Sequence, residues 1–118
     1  MAAKQRILCV DDHSDTCDLI SLILNDYEVV PSHSKGEALL KATGDSFDLY
    51  LLDYYLPDGT GLELCLLLRD FDLSTPVLFV TSEVEITPSQ IESVKAQGLV
   101  LKANLPEALV SAVADIFQ

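Results

Sequence analysis

The sequence predicts an α/β fold in which five parallel strands form one doubly wound sheet, with five helices on its two faces. Short apolar runs alternate with segments of helical period along the 118 residues, and no long linker separates them. Two of these runs, residues 49–52 and 76–80, are apolar without alternation, as expected for strands covered on both faces. Repeated β-α alternation implies a parallel sheet, and five strands fit the flavodoxin-like order 2-1-3-4-5.

Each strand is expected to be followed by a helix. The strands are predicted at residues 6–10, 27–30, 49–52, 76–80 and 99–101. The helices are predicted at residues 14–25, from Ser34 to a break at 44–46, at 62–71, from Thr87 to Gly98, and from Asn104 onward. Three helices show an apolar stripe at helical spacing. The stripes are Cys17, Ile20 and Leu24; Ala38, Leu39 and Ala42; and Leu105, Leu109, Ala112, Val113 and Ile116.

Local signals indicate where several elements begin or end. Pro31 is expected to stop the second strand, because proline has no N–H to donate to a ladder. Residues 34–37 and 87–90 have the form of capping boxes that open helices, the second with proline at the first helical position. Gly98 is expected to end the fourth helix.

Composition limits the classes of function that need to be considered. The net charge of −12 argues against a surface that binds nucleic acid directly. The apolar stretch near the N-terminus is too short for a signal peptide or a membrane span, so we expect a cytoplasmic protein without membrane insertion. Residues 1–118 fit one domain with one core.

The cysteines and histidines do not suggest a metal site. Cys9, Cys17 and Cys65 are odd in number, lack C-x-x-C spacing and lie among apolar residues, so buried thiols are expected. His13 and His33 are expected to lie in exposed loops or turns.

Four of the predicted strands end on residues that could handle a phosphoryl group. These residues are Asp11 with Asp12, Asp53, Thr81 and Lys102. Each alone could serve a turn, a cap or a strand end. Because parallel strands end at one edge of a sheet, and ligands bind there at the switch in strand order, their joint placement predicts a site.

These residues lie in segments that resemble the receiver domains of two-component response regulators. The segments are VDD after the first strand, LLDYYLPDGTGLEL around the third, VLFVTSE at the fourth and LVLK at the fifth. The resemblance covers the whole chain. It implies that Asp53 accepts a phosphoryl group from a phosphohistidine on a sensor histidine kinase or histidine phosphotransfer protein, and that the domain then switches contacts with a downstream protein target or output domain.

The resemblance also implies Mg²⁺ as the cofactor and a role for each site residue. Asp11 and Asp12 match the metal-binding pair, while Thr81 and Lys102 match the groups that contact the phosphoryl oxygens. Magnesium prefers oxygen ligands, which suits Asp12, Asp53 and a backbone carbonyl near Tyr55 as direct ligands, with Asp11 acting through water. The expected chemistry is self-phosphorylation and slow autodephosphorylation rather than turnover of a separate substrate.

The chain departs from the family pattern at several positions. Ala103 replaces the usual proline after Lys102, so a cis bond there would cost roughly 3 kcal/mol more than trans. Leu99 replaces an aromatic residue that commonly moves on activation. Tyr55 and Glu83 occupy positions that tune phosphoryl lifetime in the family.

Three other functions are alternatives to a receiver domain. A phosphatase of the haloacid dehalogenase type needs a second aspartate two positions after the first, where this chain has His13 or Ser14. A flavin-binding electron carrier needs a phosphate loop and a stacking tryptophan, and the chain has no tryptophan. A protein-interaction module that acts without phosphorylation remains the alternative.

Overall fold

A central parallel sheet organises the computed structural model, which describes residues 3–82 and 86–118. The strands are β1 (Arg6–Val10), β2 (Glu28–Ser32), β3 (Leu49–Leu52), β4 (Tyr55–Leu56), β5 (Gly59–Thr60), β6 (Val77–Thr81) and β7 (Gly98–Leu101). Five of them form the sheet in the order β2-β1-β3-β6-β7, and β4 pairs with β5 in a small hairpin. The predicted order 2-1-3-4-5 is therefore confirmed for the five strands of the sheet.

Helices cover both faces of this sheet. They are α1 (Ser14–Ile23), α2 (Lys35–Gly44), α3 (Gly61–Arg69), α4 (Pro88–Ser93) and α5 (Glu107–Ile116), with a 3₁₀ turn at Lys102–Asn104. None of the helices described is long and apolar enough to cross a membrane.

The two faces of β3 lie in two different parts of the core. Tyr50 and Leu52 pack in a cluster with side chains of α2 and α3, whereas Leu49 and Leu51 pack with side chains of α1 and α5. All four are at most 1% exposed. Burial on both faces explains why this strand is apolar at every position.

The cysteine prediction is confirmed. Cys9, Cys17 and Cys65 are buried free thiols that fill space in the two clusters.

The prediction that Pro31 stops the second strand is wrong. Strand β2 runs through Pro31 to Ser32, and Pro31 is in register with Cys9 of β1. Because β2 is an edge strand and the N–H of Asp11 bonds the carbonyl of Ser32, the polar backbone groups of Pro31 face away from β1. Proline therefore removes no hydrogen bond from the ladder.

The prediction that Gly98 ends the fourth helix is also wrong. Helix α4 ends at Ser93, and Gly98 is the first residue of β7. The chain turns instead at Lys95, whose φ of 57° is in the left-handed region. The side chain of Gln97 then accepts a hydrogen bond from the N–H of Val77 at 2.6 Å, which ties this turn to the start of β6.

The last helix begins later than the sequence predicts. Asn104 belongs to the 3₁₀ turn, and α5 starts at Glu107 after a cis bond between Leu105 and Pro106. The bond from Lys102 to Ala103 is not among the cis bonds of the described chain. Two members of the predicted stripe, Leu109 and Val113, are fully buried.

Candidate functional site

Asp11 and Asp53 are held side by side by backbone hydrogen bonds that continue the sheet beyond β1 and β3. The N–H of Asp53 bonds the carbonyl of Val10 at 2.9 Å, and the N–H of Asp11 bonds the carbonyl of Ser32 at 2.9 Å. Both aspartates are buried, with exposures of 2% for Asp11 and 6% for Asp53. The two carboxylates therefore lie at the switch in strand order, between β1 and β3.

Lys102 joins these two carboxylates. Its Nζ lies 2.6 Å from Oδ2 of Asp11 and 3.0 Å from Oδ2 of Asp53. The other oxygen of Asp53, Oδ1, accepts the N–H of Tyr54 at 2.8 Å. One ammonium group is thus shared by two buried carboxylates, so negative charge remains in excess.

The pKa shifts follow from this arrangement. Burial raises the pKa of the Asp53 carboxyl, the charge of Asp11 raises it further, and Lys102 offsets part of the rise. Burial lowers the pKa of the Lys102 ammonium, but its hydrogen bonds to Asp11 and Asp53 outweigh that effect and its pKa lies above the usual value. Lys102 is therefore charged at neutral pH, while ionised Asp53 is at a disadvantage.

Asp12 and His13 extend the cluster toward solvent. The side chain of Asp12 is 36% exposed, and Nδ1 of His13 lies 3.0 Å from its Oδ1. One donor atom from each of Asp11, Asp12, His13 and Asp53 lies within 4.8 Å of all the others. Three carboxylates are the ligand type that hard divalent cations prefer, so the residues present fit Mg²⁺.

His13 was not predicted to belong to this cluster. Its side chain is 71% exposed, as expected for a loop residue, but its ring turns back onto the aspartates. Its position directly after Asp12 is the sequence signal for this placement. The signal is easily missed, because a chain with only two histidines does not suggest a metal cluster built on histidine. His33 is half-buried, and its Nδ1 lies 2.9 Å from the backbone oxygen of Asp11.

Thr81 and Tyr55 complete the predicted set. Thr81 is fully buried at the end of β6, in register with Leu101, the residue before Lys102. Tyr55 is 50% exposed in β4, two positions after Asp53. Glu83 lies outside the described residues.

The loop after Asp53 is held closely against the strand. The N–H of Gly61 bonds the carbonyl of Tyr54 at 2.6 Å, and a Cβ at position 61 would stand 2.1 Å from the carbonyl oxygen of Asp53. Only glycine fits this approach. Farther along the loop, the carboxylate of Asp58 accepts the N–H groups of Lys35 at 2.7 Å and Gly36 at 2.9 Å, which ties the loop to the first turn of α2.

Comparisons with known proteins agree with this geometry. The family model described as "Response regulator receiver domain" matches residues 7–114. The alkaline phosphatase synthesis transcriptional regulatory protein PhoP of Bacillus subtilis is 35% identical over 86% of this chain and 40% of its own length. The regulatory protein VanR of Enterococcus faecium is 28% identical over 93% of this chain and 48% of its own length. The chain thus spans less than half of each of these relatives.

Solved structures show the same architecture. The chemotaxis protein CheY4 of Vibrio cholerae has a TM-score of 0.87 at 30% identity, covering 97% of this chain and 99% of that chain. The response regulator TrrA of Thermotoga maritima, solved in complex with Mg²⁺ and BeF, has a TM-score of 0.86 at 27% identity, covering 95% of this chain and 98% of that chain. With its sheet order and a family match along most of its length, the chain belongs to the response regulator receiver domains.

Proposed function

We propose that residues 1–118 form one receiver domain in which Asp53 accepts the phosphoryl group. The observation that carries this proposal is the contact of Lys102 with both Asp11 and Asp53 at the carboxyl edge of the sheet. The donor is a phosphohistidine of a sensor histidine kinase or of a histidine phosphotransfer protein. The transfer is a displacement at phosphorus: an oxygen of Asp53 forms the new P–O bond, the P–N bond breaks, and the imidazole leaves with its electron pair.

Lys102 and Asp11 have different tasks in this step. An anionic carboxylate and an anionic phosphoryl group repel each other, so the ammonium of Lys102 offsets charge on the side where it already touches Asp53. Asp11 and Asp12 would hold Mg²⁺ together with Asp53 and the backbone carbonyl of Tyr55. When bound there, the cation would supply further charge neutralisation for the incoming phosphoryl oxygens.

Thr81 is proposed to connect the phosphoryl group to the rest of the domain. It lies at the buried end of β6, directly before Ser82 and in register with Leu101 of β7. A hydroxyl that donates to a phosphoryl oxygen on Asp53 would shift Thr81 and the end of β6 that carries it. The resulting surface change would alter contacts with an output domain or a separate protein target. PhoP is named as a transcriptional regulatory protein and VanR as a regulatory protein, and the chain matches less than half of the length of each.

Intact-mass measurement after incubation with a small phosphodonor and Mg²⁺ tests the assignment. The wild-type protein should gain the mass of one phosphoryl group, and Asp53→Asn should gain none, because an amide is not a nucleophile toward phosphorus. Asp15→Asn is the matched control, since Asp15 is an exposed aspartate in the first turn of α1 near the same edge. It should label as the wild type does.

Two results would contradict the assignment of Asp53 as the phosphoacceptor. Labelling that persists in Asp53→Asn would assign the acceptor to another residue. A wild-type protein that no donor labels would favour the interaction module that acts without phosphorylation.

A further inference from the structure

The imidazole of His13 differs in donor type from the other residues of the candidate cation site. The three aspartates offer carboxylate oxygens only, whereas His13 offers a nitrogen within the same 4.8 Å group of donor atoms. A nitrogen ligand changes which metals a site prefers, because imidazole suits zinc, copper, iron and nickel, while Mg²⁺ favours oxygen.

The distances fit coordination by His13. Its Nδ1 lies 3.0 Å from Oδ1 of Asp12 and 3.3 Å from Oδ1 of Asp11. Neighbouring ligand atoms around an octahedral ion with bonds of about 2.1 Å stand about 3.0 Å apart. Nδ1 of His13 is therefore spaced from each of the two carboxylate oxygens as one ligand of such an ion is from its neighbours, while Oδ2 of Asp11 is held by Lys102 at 2.6 Å.

The local backbone keeps the ring in this position. The N–H of His13 donates to Oδ1 of Asp11 at 2.9 Å, so the residue is fixed beside that carboxylate. His13 is also the N-cap of α1, but its side chain makes no capping hydrogen bond. The imidazole is thus not required by the helix and can serve a ligand.

We propose that His13 is a ligand of the cation site and shifts its selectivity from Mg²⁺ toward first-row transition ions such as Zn²⁺. The inference rests on the cation site proposed above, and it does not depend on phosphoryl transfer to Asp53. The competing explanation is that His13 pairs with Asp11 and Asp12 only as an imidazolium cation. In that case a metal would displace the ring rather than bind it.

Calorimetric titration with Zn²⁺ and with Mg²⁺, without phosphodonor, separates these explanations. In His13→Ala the Kd for Zn²⁺ should rise at least ~10-fold, as expected when a histidine ligand is lost, while the Kd for Mg²⁺ should change little. His13→Asn is the matched variant, because its amide oxygen replaces the ring nitrogen at the same reach. It should keep Mg²⁺ binding and lose Zn²⁺ affinity. Equal Zn²⁺ affinity in the wild type and both variants would overturn the proposal.

The ring nitrogens give a second readout that is independent of affinity. In wild-type protein labelled with ¹⁵N, Zn²⁺ should shift the Nδ1 resonance of His13 and leave the ring of His33 almost unchanged. His33 is the internal control, because it bonds a backbone oxygen and lies outside the donor group. Resonances of His13 that do not move at saturating Zn²⁺ would show that the ring is not a ligand. Phosphoryl labelling of His13→Ala in the presence of Mg²⁺ tests Asp53 rather than His13. It therefore distinguishes a failure of this proposal from a failure of the phosphoacceptor assignment.

Discussion

Strand β3 has an important aspartate near each end, and the two carboxylates have opposite energetic roles. Asp53 follows its carboxyl end, where burial and the neighbouring charge of Asp11 raise its pKa. Asp72 lies near the other end, where its Oδ2 accepts the hydroxyl of Tyr50 in β3 at 2.8 Å. The same type of side chain is thus destabilised by charge at one end of the strand and stabilised by hydrogen bonds at the other.

The hydrogen bonds of Asp72 explain its behaviour. Its Oδ2 also accepts the hydroxyl of Thr75 at 2.7 Å, and its Oδ1 accepts the N–H groups of Ser74 at 3.2 Å and Thr75 at 3.0 Å. Burial raises the pKa of Asp72, but the hydrogen bonds from Thr75, Tyr50 and Ser74 outweigh it and lower the pKa to about 2. The fold is stabilised at this end, whereas the site end keeps an excess of negative charge that a bound cation would offset.

The largest expected effect comes from Gly61→Ala, which disturbs only the site end. The new Cβ would stand 2.1 Å from the carbonyl oxygen of Asp53, so the backbone must shift. We expect a loss of about 4 kcal/mol in the free energy of unfolding, measured by urea denaturation, together with loss of phosphoryl labelling. Gly44→Ala is the control, because its Cβ would meet nothing within 4 Å at the end of α2. Its stability should be equal or slightly higher. Equal stability of both variants would show that the Gly61 contact is not restrictive.

Asp72→Ala tests the structural end. The folded pKa of about 2 against an ordinary value of 3.8 corresponds to roughly 2–3 kcal/mol of stability at neutral pH, which solvent screening of this partly exposed carboxylate reduces to about 2 kcal/mol. Because the folded pKa is lowered, this stability is present above pH 3.8 and is lost as the pH falls toward 2. The variant should therefore be about 2 kcal/mol less stable at pH 7 and should lose less stability on acidification.

Tyr50→Phe removes one of the hydrogen bonds to Asp72 and should lower the free energy of unfolding by about 1 kcal/mol. Asp72→Ala should still gain one phosphoryl group, because Asp72 lies at the end of β3 away from the site. Loss of phosphoryl labelling would show that the two ends are coupled.

Asp53→Asn should have the smaller effect and the opposite sign. Burial of the Asp53 carboxylate and repulsion by Asp11 together outweigh its attraction to Lys102, which is why its pKa is raised. We expect a net gain of about 1 kcal/mol at pH 7 without divalent cations.

The pH dependence of Asp53 follows from its raised pKa. Its ionisation lowers stability as the pH rises above 3.8 through the folded pKa, so the wild type should lose stability in that window and Asp53→Asn should lose less. Thermal unfolding across the pH range measures both effects. A less stable Asp53→Asn protein would show that the attraction of Lys102 exceeds the repulsion of Asp11.

Most of the fold could be predicted because its determinants are local or periodic. The fully apolar run at β3 and the capping box at Thr87 and Gln90 are found where the sequence places them. The α1 and α3 boundaries differ from prediction by only one or two residues. Convergence of Asp11, Asp53 and Lys102 followed from parallel strands ending at one edge, and the structure confirms the contact of these side chains.

The errors arose where distant contacts override local signals. Gly98 resembles a helix end, but the bond between Gln97 and Val77 and the turn at Lys95 place it in a strand. The orientation of the His13 ring depends on two carboxylates that come together only in the fold. Asp72 received no role from the sequence, because its partner Tyr50 is 22 positions away.

Pro31 also affects how this protein can associate with itself. On the outer border of β2 its nitrogen carries no proton, and its carbonyl accepts a hydrogen bond from Lys41. An incoming strand would therefore meet a gap among the backbone donors and an acceptor that is already in use. Pairing of another strand with this border is therefore disfavoured at Pro31, which is one way in which edge strands limit aggregation.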